Sequence, residues 1–450
     1  MSGYAEYREV NLPWLKAVPA HWEIRRNKNI FTEQKEIVGE RSADYTLLSL
    51  TLNGIIPRDM DGGGKFPESF DKYKIVKNGD MAFCLFDIDE TPRTVGLSGY
   101  NGMLTGAYTI MRVSNINARF IYYYYLALDN GKMLRPLYTG LRKTININTF
   151  QSTKVPVPPR EEQDQIVCFL DWKVSSINKL IRIRKRQIEE LEAIKRSSIG
   201  YLVMGQAQSI PQRDTEVNWV KTIPAHWNEK TLIQVAEEQQ IKNAGMVEDN
   251  LLSLSYGKII NKDINTTDGL LPSSFEGYQI VHDGNIILRL TDLQNDHKSL
   301  RTGLVTQTGI ITSAYTCLKV RHNILPEYLQ LQLHVADLCK VFYGMGGGVR
   351  QSIGFTEIRK LVIAIPPVEE QQYILDRVHG IEKPINCAIQ NIRDIIAGLE
   401  DLKTRLISDT VTGKIDVRGI EIPEYEFVDE DNDNVDENLE QGADEPTEEE

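Results

Sequence analysis

The two most regular hydrophobic patterns of the chain each follow a pair of prolines. After Pro367 the apolar positions alternate in steps of four and three residues, which is the 3.5-residue period of a coiled-coil helix. These positions are Ile374, Val378, Ile381, Ile385, Ala388, Ile392, Ile395, Leu399, Leu402 and Leu406. A more interrupted pattern follows Pro159, at Leu170, Val174, Ile177, Ile181, Ile188, Leu191 and Leu202. The patterns predict two helices of about 40 residues and about 60 Å each, and Pro384 is expected to kink or restart the second.

An amphipathic helix of this length must bury its apolar stripe against another element. The two predicted helices end near Met204 and Thr412 and share one period, so the simplest expectation is that they bury each other. We therefore predict an antiparallel coiled coil, with the two halves of the chain related by a pseudo-twofold.

Before each long helix, short apolar runs alternate with Gly, Asp and Asn residues, a pattern typical of strands and turns. In the first half, strands are predicted at residues 45–50, 81–86 and 108–113, followed by a helix at 119–128. In the second half, strands are predicted at 251–254, 285–290 and 315–320, and a helix at 326–342. Each half closes on a strand that ends in Pro-Pro, because proline cannot donate to a sheet.

The two halves are copies of one unit. Residues 14–22 (WLKAVPAHW) return as 219–227 (WVKTIPAHW), and residues 157–163 (VPPREEQ) return as 365–371 (IPPVEEQ), at offsets of 205 and 208 residues. The fold class predicted is therefore α+β, with two similar mixed α/β domains separated by the two long antiparallel helices. The predicted segments are 1–159 and 206–367 for the two domains, and 160–205 and 368–418 for the two helices.

The formal net charge of −12 comes from the C-terminal end of the chain. Residues 421–450 contain 15 acidic residues and no Lys or Arg, whereas the rest of the chain carries 51 basic and 48 acidic residues. This acidic end has too few apolar side chains to fold, so residues 419–450 are predicted to be a disordered tail. The remaining, slightly basic body is compatible with binding to nucleic acid.

Composition excludes several other classes of protein. No stretch approaches the roughly 18 apolar residues that span a membrane, so no membrane contact is predicted. The N-terminal residues lack the basic and apolar regions of a secretory signal. The five cysteines are scattered and include no C-x-x-C pair. Reduced thiols in a cytoplasmic protein are therefore favoured over a metal site or disulfides.

The sequence contains no recognisable catalytic constellation. Residues 61–65 (DGGGK) lack the first glycine of a phosphate-binding loop, and Phe66 replaces its hydroxyl residue. The glycine-rich residues 344–348 lack the preceding strand and the following helix of a dinucleotide site. Both segments are interpreted as flexible loops. We predict no catalytic residue, no metal site and no cofactor on this chain.

The repeated motifs also have structural interpretations. His21 and His226 could suggest a paired histidine site, but no further ligand stands beside either at metal-binding spacing. We interpret P-x-H-W as a tryptophan anchor for each domain. The pairs Glu162-Gln163 and Glu370-Gln371 fall in the first turn of the long helices, where an acidic side chain complements the helix dipole and Glu or Gln can close a capping box. Their role is predicted to be local, although the repetition suggests a shared contact surface.

Basic and polar side chains in the predicted loops are the candidate DNA contacts. Arg can bind guanine through two hydrogen bonds, Gln can bind adenine, and Lys neutralises phosphate. The candidates are Lys65, Arg93, Arg142 and Lys143 in the first domain and Arg289, Lys298, Arg301, Arg350 and Gln351 in the second. A solvated surface position is the alternative for each, and only their placement in the turns of a duplicated architecture raises them as DNA contacts.

Taken together, three features resemble the specificity subunits of Type I restriction-modification systems. These are the tandem P-x-H-W motifs, the tandem P-P-x-x-E-Q helix starts, and residues 411–416 (VTGKID) after a long helix. The resemblance covers residues 1 to about 418. The sequence after the first helix, residues 201–205 (YLVMG), departs in detail from that after the second, and the acidic tail is not part of the family pattern.

The resemblance implies a non-catalytic subunit whose two target-recognition domains each bind one half of a bipartite site on double-stranded DNA. It implies that the helices set the spacer between the half-sites and dock two modification subunits. Those subunits would bind S-adenosylmethionine and methylate adenine, and restriction subunits that use ATP and Mg would join to cleave DNA. None of the family's recognition residues is transferred, since they vary within it.

Two other classes of function stay open. The chain could be a coiled-coil adaptor for protein assembly, whose domains bind protein rather than DNA. It could also be a self-sufficient methyltransferase or nuclease, although the missing catalytic motifs weigh against this alternative.

Overall fold

We analysed a computed structural model of the chain. It describes residues 3–58, 67, 69–140, 143–206, 210–264, 274–293, 300–321, 323–345 and 353–429. The chain forms two compact units: the first contains Met1–Gln187 and Asn391–Glu450, and the second contains Ile188–Gln390. Each long helix has residues in both units. The predicted loops at 61–65 and 346–348 lie outside the described residues.

The first unit consists of short antiparallel strands, two short helices and parts of both long helices. Its strands are β1 (Tyr7–Leu12), β2 (Leu15–Pro19), β3 (Glu23–Arg26), β4 (Phe31–Gln34), β5 (Leu48–Thr51), β6 (Gly54–Pro57), β7 (Lys74–Val76), β8 (Asp80–Phe83), β9 (Val95–Leu97), β10 (Gly102–Leu104), β11 (Thr109–Val113) and β12 (Lys154–Val157). Its helices are α1 (Ala118–Asn130), α2 (Ile147–Ser152) and the first part of α3 (Arg160–Val203).

The central sheet of this unit has the strand order β4, β11, β8, β9, with all neighbours antiparallel. Helix α1 begins at an Asn117 side chain that accepts hydrogen bonds from two main-chain amides of its first turn. Its buried face contributes Tyr125 to an aromatic cluster with Phe31, Phe83 and Phe150. The ring centroids of this cluster lie 4.8 to 5.9 Å apart. Such pairs stabilise a core by about 0.5–1.5 kcal/mol each beyond their buried area.

The second unit repeats this architecture. Its strands are β13 (Gln212–Asp214), β14 (Thr222–Pro224), β15 (Asn228–Thr231), β16 (Ala236–Glu238), β17 (Ile241–Lys242), β18 (Leu252–Ser255), β19 (Lys258–Asn261), β20 (Gln279–Val281), β21 (Ile286–Leu288), β22 (Thr302–Leu304), β23 (Gly309–Ile311), β24 (Thr316–Val320) and β25 (Val362–Ile365). Its helices are α4 (Leu232–Val235), α5 (Pro326–Leu338), α6 (Phe355–Ile358) and the first part of α7 (Val368–Val411).

The order of its central sheet, β16, β24, β21, β22, matches that of the first unit strand for strand. The core differs in chemistry, because Ala236, Leu288, Leu333 and Ile358 replace the aromatic cluster and are completely buried. The prediction of two similar mixed domains is therefore confirmed. The helix predicted at 326–342 ends earlier, at Leu338, and a short 3-10 turn (Val341–Gly344) follows it.

The two long helices pack antiparallel within each unit. In the first unit Gln165 of α3 bonds to the main chain at Val417, beyond the end of α7, while Asn178, farther along α3, accepts from Lys403 of α7. Residue numbers thus rise along α3 as they fall along α7. In the second unit Lys195 of α3 donates to Asn386 of α7 at 3.0 Å. The predicted pair of long antiparallel helices is confirmed.

Two details of the helices differ from the sequence-based expectation. Helix α7 runs through Pro384 without a restart. Ile395 and Leu402, which belong to the predicted apolar stripe, are 46% and 43% exposed. None of the described helices is both long enough and apolar enough to cross a membrane.

The packed part of the chain also extends beyond residue 418. Ser175 of α3 donates to the carbonyl of Glu426 at 3.0 Å and accepts from the amide of Val428 at 2.7 Å. Val428 is buried, and Ile420 and Ile422 pack against the core of the first unit. The described residues of the predicted tail, 419–429, are therefore packed on the first unit, and residues 430–450 lie outside the described part of the chain.

Candidate nucleic-acid interface

The repeated motifs meet one another at the base of each domain. In the first unit the Glu162 carboxylate accepts hydrogen bonds from Tyr4 Oη at 2.6 Å and Trp22 Nε1 at 2.9 Å, and His21 Nε2 lies 2.7 Å from its other oxygen. In the second unit His226 Nε2 lies 2.7 Å from Glu370. The histidines therefore bind the helix-start glutamates rather than each other within the described structure, as the anchor interpretation requires.

The same tryptophans also cover the end of a long helix. Gly413, after α7, has a φ of +76°, and a Cβ there would lie 2.4 Å from Pro19 and 3.2 Å from Trp22. Gly205, after α3, has a φ of +67°, and a Cβ there would lie 2.4 Å from Pro224. Only glycine fits this close approach at a positive φ. Each P-x-H-W motif thus packs against one helix start and one helix end in its own unit.

The glutamines of the P-P-x-x-E-Q motifs join each long helix to the domain helix. Gln163 accepts a hydrogen bond from the main-chain amide of Asn117, immediately before α1, at 2.8 Å. Gln371 accepts one from Leu325, immediately before α5, also at 2.8 Å. The local role predicted for these residues is therefore wrong in part, since their side chains hold elements that are far apart in sequence.

Three segments meet at one edge of the first domain, and we call this region the loop edge. They are the β5–β6 turn, the loop at 84–94 and the loop at 138–145. Arg93 Nε donates to the carbonyl of Leu52 in the turn at 3.3 Å. Lys143 Nζ lies 3.1 Å from Glu90, and the amide of Ile145 donates to the carbonyl of Leu85 at 2.8 Å.

The second domain has an equivalent loop edge. Its segments are the β18–β19 turn, the loop at 289–301 and the loop at 345–353, of which the structure describes the flanks. A Cβ at Gly257 in the turn would lie 3.1 Å from the Leu300 side chain. The amide of Ile353 donates to the carbonyl of Leu290 at 3.0 Å, as Ile145 does to Leu85 in the first domain. The duplication therefore extends to the position of the loops.

Two predicted site residues of the first loop edge are ion-paired. Arg93 Nη1 lies 3.3 Å from Asp129 and 2.7 Å from Asn130 at the end of α1, and its side chain is 15% exposed. Lys143 contacts Asp89 at 3.4 Å as well as Glu90. Desolvation opposes ionisation of Asp89, but hydrogen bonds from Arg135 and Lys143 outweigh it and hold its pKa below the ordinary value. Any phosphate would have to compete with these carboxylates.

Arg301 lies in the interior of the second domain, where it binds main-chain carbonyls. It is fully buried, and its guanidinium donates to the carbonyls of Arg289 and Thr291 and to the hydroxyl of Tyr343. Its amide donates to Asp337 at 2.8 Å, as the amide of Thr94 does to Asp129 in the first domain at 3.0 Å. A buried arginine whose guanidinium donates to carbonyl and hydroxyl oxygens in this way is not available to DNA. The prediction of a DNA contact at Arg301 is therefore withdrawn.

The other candidates are placed as follows. Arg289 is partly buried beside Arg301 at the base of the second loop edge. Five candidates lie outside the described residues, namely Lys65, Arg142, Lys298, Arg350 and Gln351. In the sequence Arg142 directly precedes Lys143, Lys298 falls within 289–301, and Arg350 and Gln351 fall within 345–353, so four of the five belong to segments of the two loop edges. A contact with DNA remains a prediction for all of them.

Sequence reasoning missed several residues of the loop edges. Asp89 and Glu90 are the partners of Lys143, Arg135 is a second partner of Asp89, and no sequence pattern marked these residues. Asp129 and Asp337, which hold the loops to the domain helices, stand 208 residues apart, so the repeat itself could have identified them. Among the described residues, no three His, Cys, Asp or Glu side chains cluster as metal ligands would.

Comparison with known proteins identifies the family to which this architecture belongs. The model of the Type I restriction modification DNA specificity domain matches the chain twice, at residues 70–193 and 302–396. Each match contains domain strands and part of one long helix. The chain belongs to the family of Type I restriction-modification specificity subunits. The resemblance drawn from the sequence is thus confirmed.

Relatives align along almost the whole length of this family member. It is 23% identical over 425 residues to the MjaX specificity subunit assigned to a type I restriction enzyme of Methanocaldococcus jannaschii, covering 89% of this chain and 95% of that protein. It is 22% identical over 439 residues to the type I restriction enzyme MjaVIII specificity subunit of the same organism, covering 92% and 98%.

A solved structure shares the fold. It comes from work on complex assembly and conformational transition of the type I R-M system, and it matches with a TM-score of 0.58 at 13% identity. The match covers 88% of this chain and 99% of that one. At this identity the likeness concerns the fold alone, so the assignment of DNA contacts rests on the loop edges of this chain.

Proposed function

We propose that this specificity subunit is the non-catalytic DNA-recognition component of a Type I complex, and that each domain binds one half of a bipartite site on duplex DNA through its loop edge. The observation that carries the proposal is the duplication of the loop edge. Equivalent turns and loops are held by equivalent contacts in both units, whereas the loop sequences differ. A duplicated scaffold with divergent loops suits two related binding events with two different specificities.

The long helices have two roles in this proposal. Each contains 44 residues and is about 66 Å long, which makes the pair a spacer between the half-sites. The helices also expose apolar side chains that a partner could cover. Leu180 and Ile183 of α3 and Ile395 and Leu402 of α7 are 43 to 47% exposed in the first unit. In the second, Ile194, Tyr201 and Tyr373 are 51 to 55% exposed.

We assign these exposed apolar stripes to docking of two modification subunits. S-adenosylmethionine would bind to those subunits, and ATP and Mg to restriction subunits that join the complex, so this chain would need no cofactor of its own. The same stripes favour the second candidate function, a coiled-coil adaptor for protein assembly. That candidate does not account for the loop edges, because an adaptor needs the helices and not two sets of divergent, basic loops.

Selection of random duplex DNA by the chain with its co-purified partners, followed by sequencing, tests the proposal. The expected result is two short fixed sequences separated by a spacer of constant length. Half-sites on one face of DNA lie about 34–36 Å, or one helical turn, apart. Lengthening both α3 and α7 should change the spacer and leave both half-sites unchanged. Selected DNA without a bipartite sequence would favour the adaptor.

A further inference from the structure

The second loop edge carries an aromatic residue that neither the repeat nor the core explains. Tyr256 is 86% exposed, the largest exposure among the large hydrophobic side chains of the described residues. It stands in the turn of the β18–β19 hairpin, between Ser255 and Lys258, which pair across the turn. A tyrosine so exposed gains almost nothing from burial.

The backbone makes this position costly for tyrosine. Tyr256 has a φ of +46° and Gly257 a φ of +75°. Two consecutive positive φ values are the signature of a type I′ hairpin turn, whose first position favours Asn, Asp or Gly. A bulky residue with positive φ is an outlier. Turn geometry therefore favours Asn at position 256, and folding stability does not explain the aromatic ring.

The surroundings of the ring match those of a nucleic-acid contact. A Cβ at Gly257 would lie 3.1 Å from the Leu300 side chain, so the turn packs on the described flank of the 289–301 loop. Lys258, two residues after Tyr256, is exposed on the same hairpin. An exposed ring beside a cation such as Lys258 is the combination with which proteins stack on bases and neutralise the adjacent phosphates. A surface for a hydrophobic partner would instead need a continuous apolar patch.

The equivalent turn of the first domain has neither the aromatic ring nor the cation. Its residues 51–54 (TLNG) contain no aromatic side chain and no cation. Leu52 takes the place of Tyr256 and is 38% exposed. The ring is thus a property of the second loop edge alone, as expected of a residue that serves one half-site.

We propose that Tyr256 is a DNA-contact residue of the second domain, whose ring stacks on a base at the edge of the half-site which that domain binds. The inference rests on the proposed function and adds to it a named residue, a named half-site and a mode of contact. In duplex DNA this contact requires partial unstacking of the base step at that edge. Stacking tolerates any base, so Tyr256 contributes affinity rather than base identity.

Three variants of the full chain, each purified with its partner subunits, test the inference on the selected duplex. Tyr256→Asn removes the ring and suits the turn, so it should weaken binding roughly 5- to 100-fold and leave the melting temperature unchanged or higher. Tyr256→Phe keeps the ring and should bind as the unsubstituted chain does. Tyr100→Asn, at a 47% exposed tyrosine beyond the far end of β9, is the matched control and should change nothing.

Duplexes with only one intact half-site then locate the contact. The Tyr256→Asn defect should persist when the first half-site is scrambled and vanish when the second is scrambled. Wild-type binding by Tyr256→Asn would overturn the inference and leave the proposed function standing. A Tyr256→Phe variant as weak as Tyr256→Asn would assign the effect to the hydroxyl and also overturn it. Loss of partner subunits from Tyr256→Asn, with DNA binding retained, would make Tyr256 a protein contact. If the unsubstituted complex shows no sequence preference, the proposed function fails and the inference fails with it.

Discussion

The junctions between repeated motifs are built from the same residues in both units, but their hydrogen bonds differ. In the first unit Glu162 is 5% exposed and binds Tyr4, His21 and Trp22. In the second unit the Nε1 of Trp227 is buried without a hydrogen-bond partner among the described residues, although His226 still binds Glu370. Tyr4 belongs to an N-terminal segment whose counterpart near residue 209 has no tyrosine.

This difference shows which part of a duplicated motif is required for the fold. Both copies retain the histidine-to-glutamate contact and the packing of Trp on a helix-end glycine. Among the described residues, Trp22 donates its indole N–H to this carboxylate and Trp227 does not. The packing therefore defines the junction, and the hydrogen bonds determine how strongly each copy is stabilised.

The largest effect is expected from a substitution that breaks the junction around Glu162, which has the more hydrogen bonds among the described residues. Glu162→Ala would leave the hydroxyl of Tyr4 and the indole nitrogen of Trp22 buried without an acceptor, at a cost of about 3–5 kcal/mol. Glu370→Ala should cost about 1–2 kcal/mol, because the buried indole of Trp227 does not depend on that carboxylate. Hydrogen exchange measured on peptides from each unit would give the two costs separately.

Tyr4→Phe is the control for this pair, since it removes one donor and keeps the ring. It should destabilise the first unit by about 1 kcal/mol and leave exchange in the second unit unchanged. Equal losses for Glu162→Ala and Glu370→Ala would mean that the network around Glu162 adds nothing to the packing of the tryptophan.

Much of this architecture could be predicted from the sequence, because periodicity and repetition are local signals. The 3.5-residue pattern identified both long helices, and the repeat identified two similar domains. The partners of Glu162 and Gln163 could not be found in this way, because Tyr4 and Asn117 approach them only in the folded chain.

The candidate site was harder to predict for a related reason. A loop arginine has the same sequence signature whether it faces solvent or the interior. Arg301 is buried because Asp337 and the carbonyls of Arg289 and Thr291 converge on it, and such convergence depends on tertiary structure. The exposed Tyr256 was missed because a single tyrosine in a strand-rich segment fits the pattern of a core residue equally well.

One titratable difference between the helices α1 and α5 should make the second unit the more acid-sensitive. His334 of α5 takes the place of Leu126 in α1. Burial and the nearby Lys195 lower the pKa of His334 to about 4, and its Nδ1 has no hydrogen-bond partner among the described residues. Between this value and about 6.5 the unfolded chain binds a proton that the folded chain does not.

The resulting stability is therefore fully present above pH 6.5 and is lost as the pH falls towards 4, by at most about 3 kcal/mol. His334→Leu, which restores the residue of the first unit, should abolish this loss in hydrogen exchange of the second unit. An unchanged pH dependence in His334→Leu would assign the acid sensitivity to other groups.

The two loop edges should be separable by single substitutions. Arg142 and Arg350 occupy corresponding loops, so Arg142→Ala should weaken one half-site and Arg350→Ala the other. A base contact would cost about 1–3 kcal/mol and be selective for that base, whereas a phosphate contact would weaken all sequences evenly. Binding measured on a panel of single-base variants of the selected duplex distinguishes these results. Wild-type affinity and selectivity in both variants would mean that the two arginines are solvated surface residues and do not contact DNA.

The smallest expected effect concerns the acidic residues 430–450, which follow a segment anchored in the first unit. They include 11 acidic residues and begin two residues after Val428, which is anchored to Ser175 and Asn178 of α3. A short tether gives such a segment a millimolar effective concentration, so it should compete with DNA for basic surface. Truncation after Asp429 keeps the packed segment and should tighten non-specific DNA binding a few-fold at low salt, with the effect fading as salt is raised.

A tail of equal length with Asn and Gln in place of Asp and Glu should behave like the truncation if charge is the cause. Because the anchor lies in the first unit, the gain should be larger on a duplex that retains only the half-site of the first domain. Equal binding by the truncated, neutralised and full-length chains at low salt would reduce the tail to a solvated end.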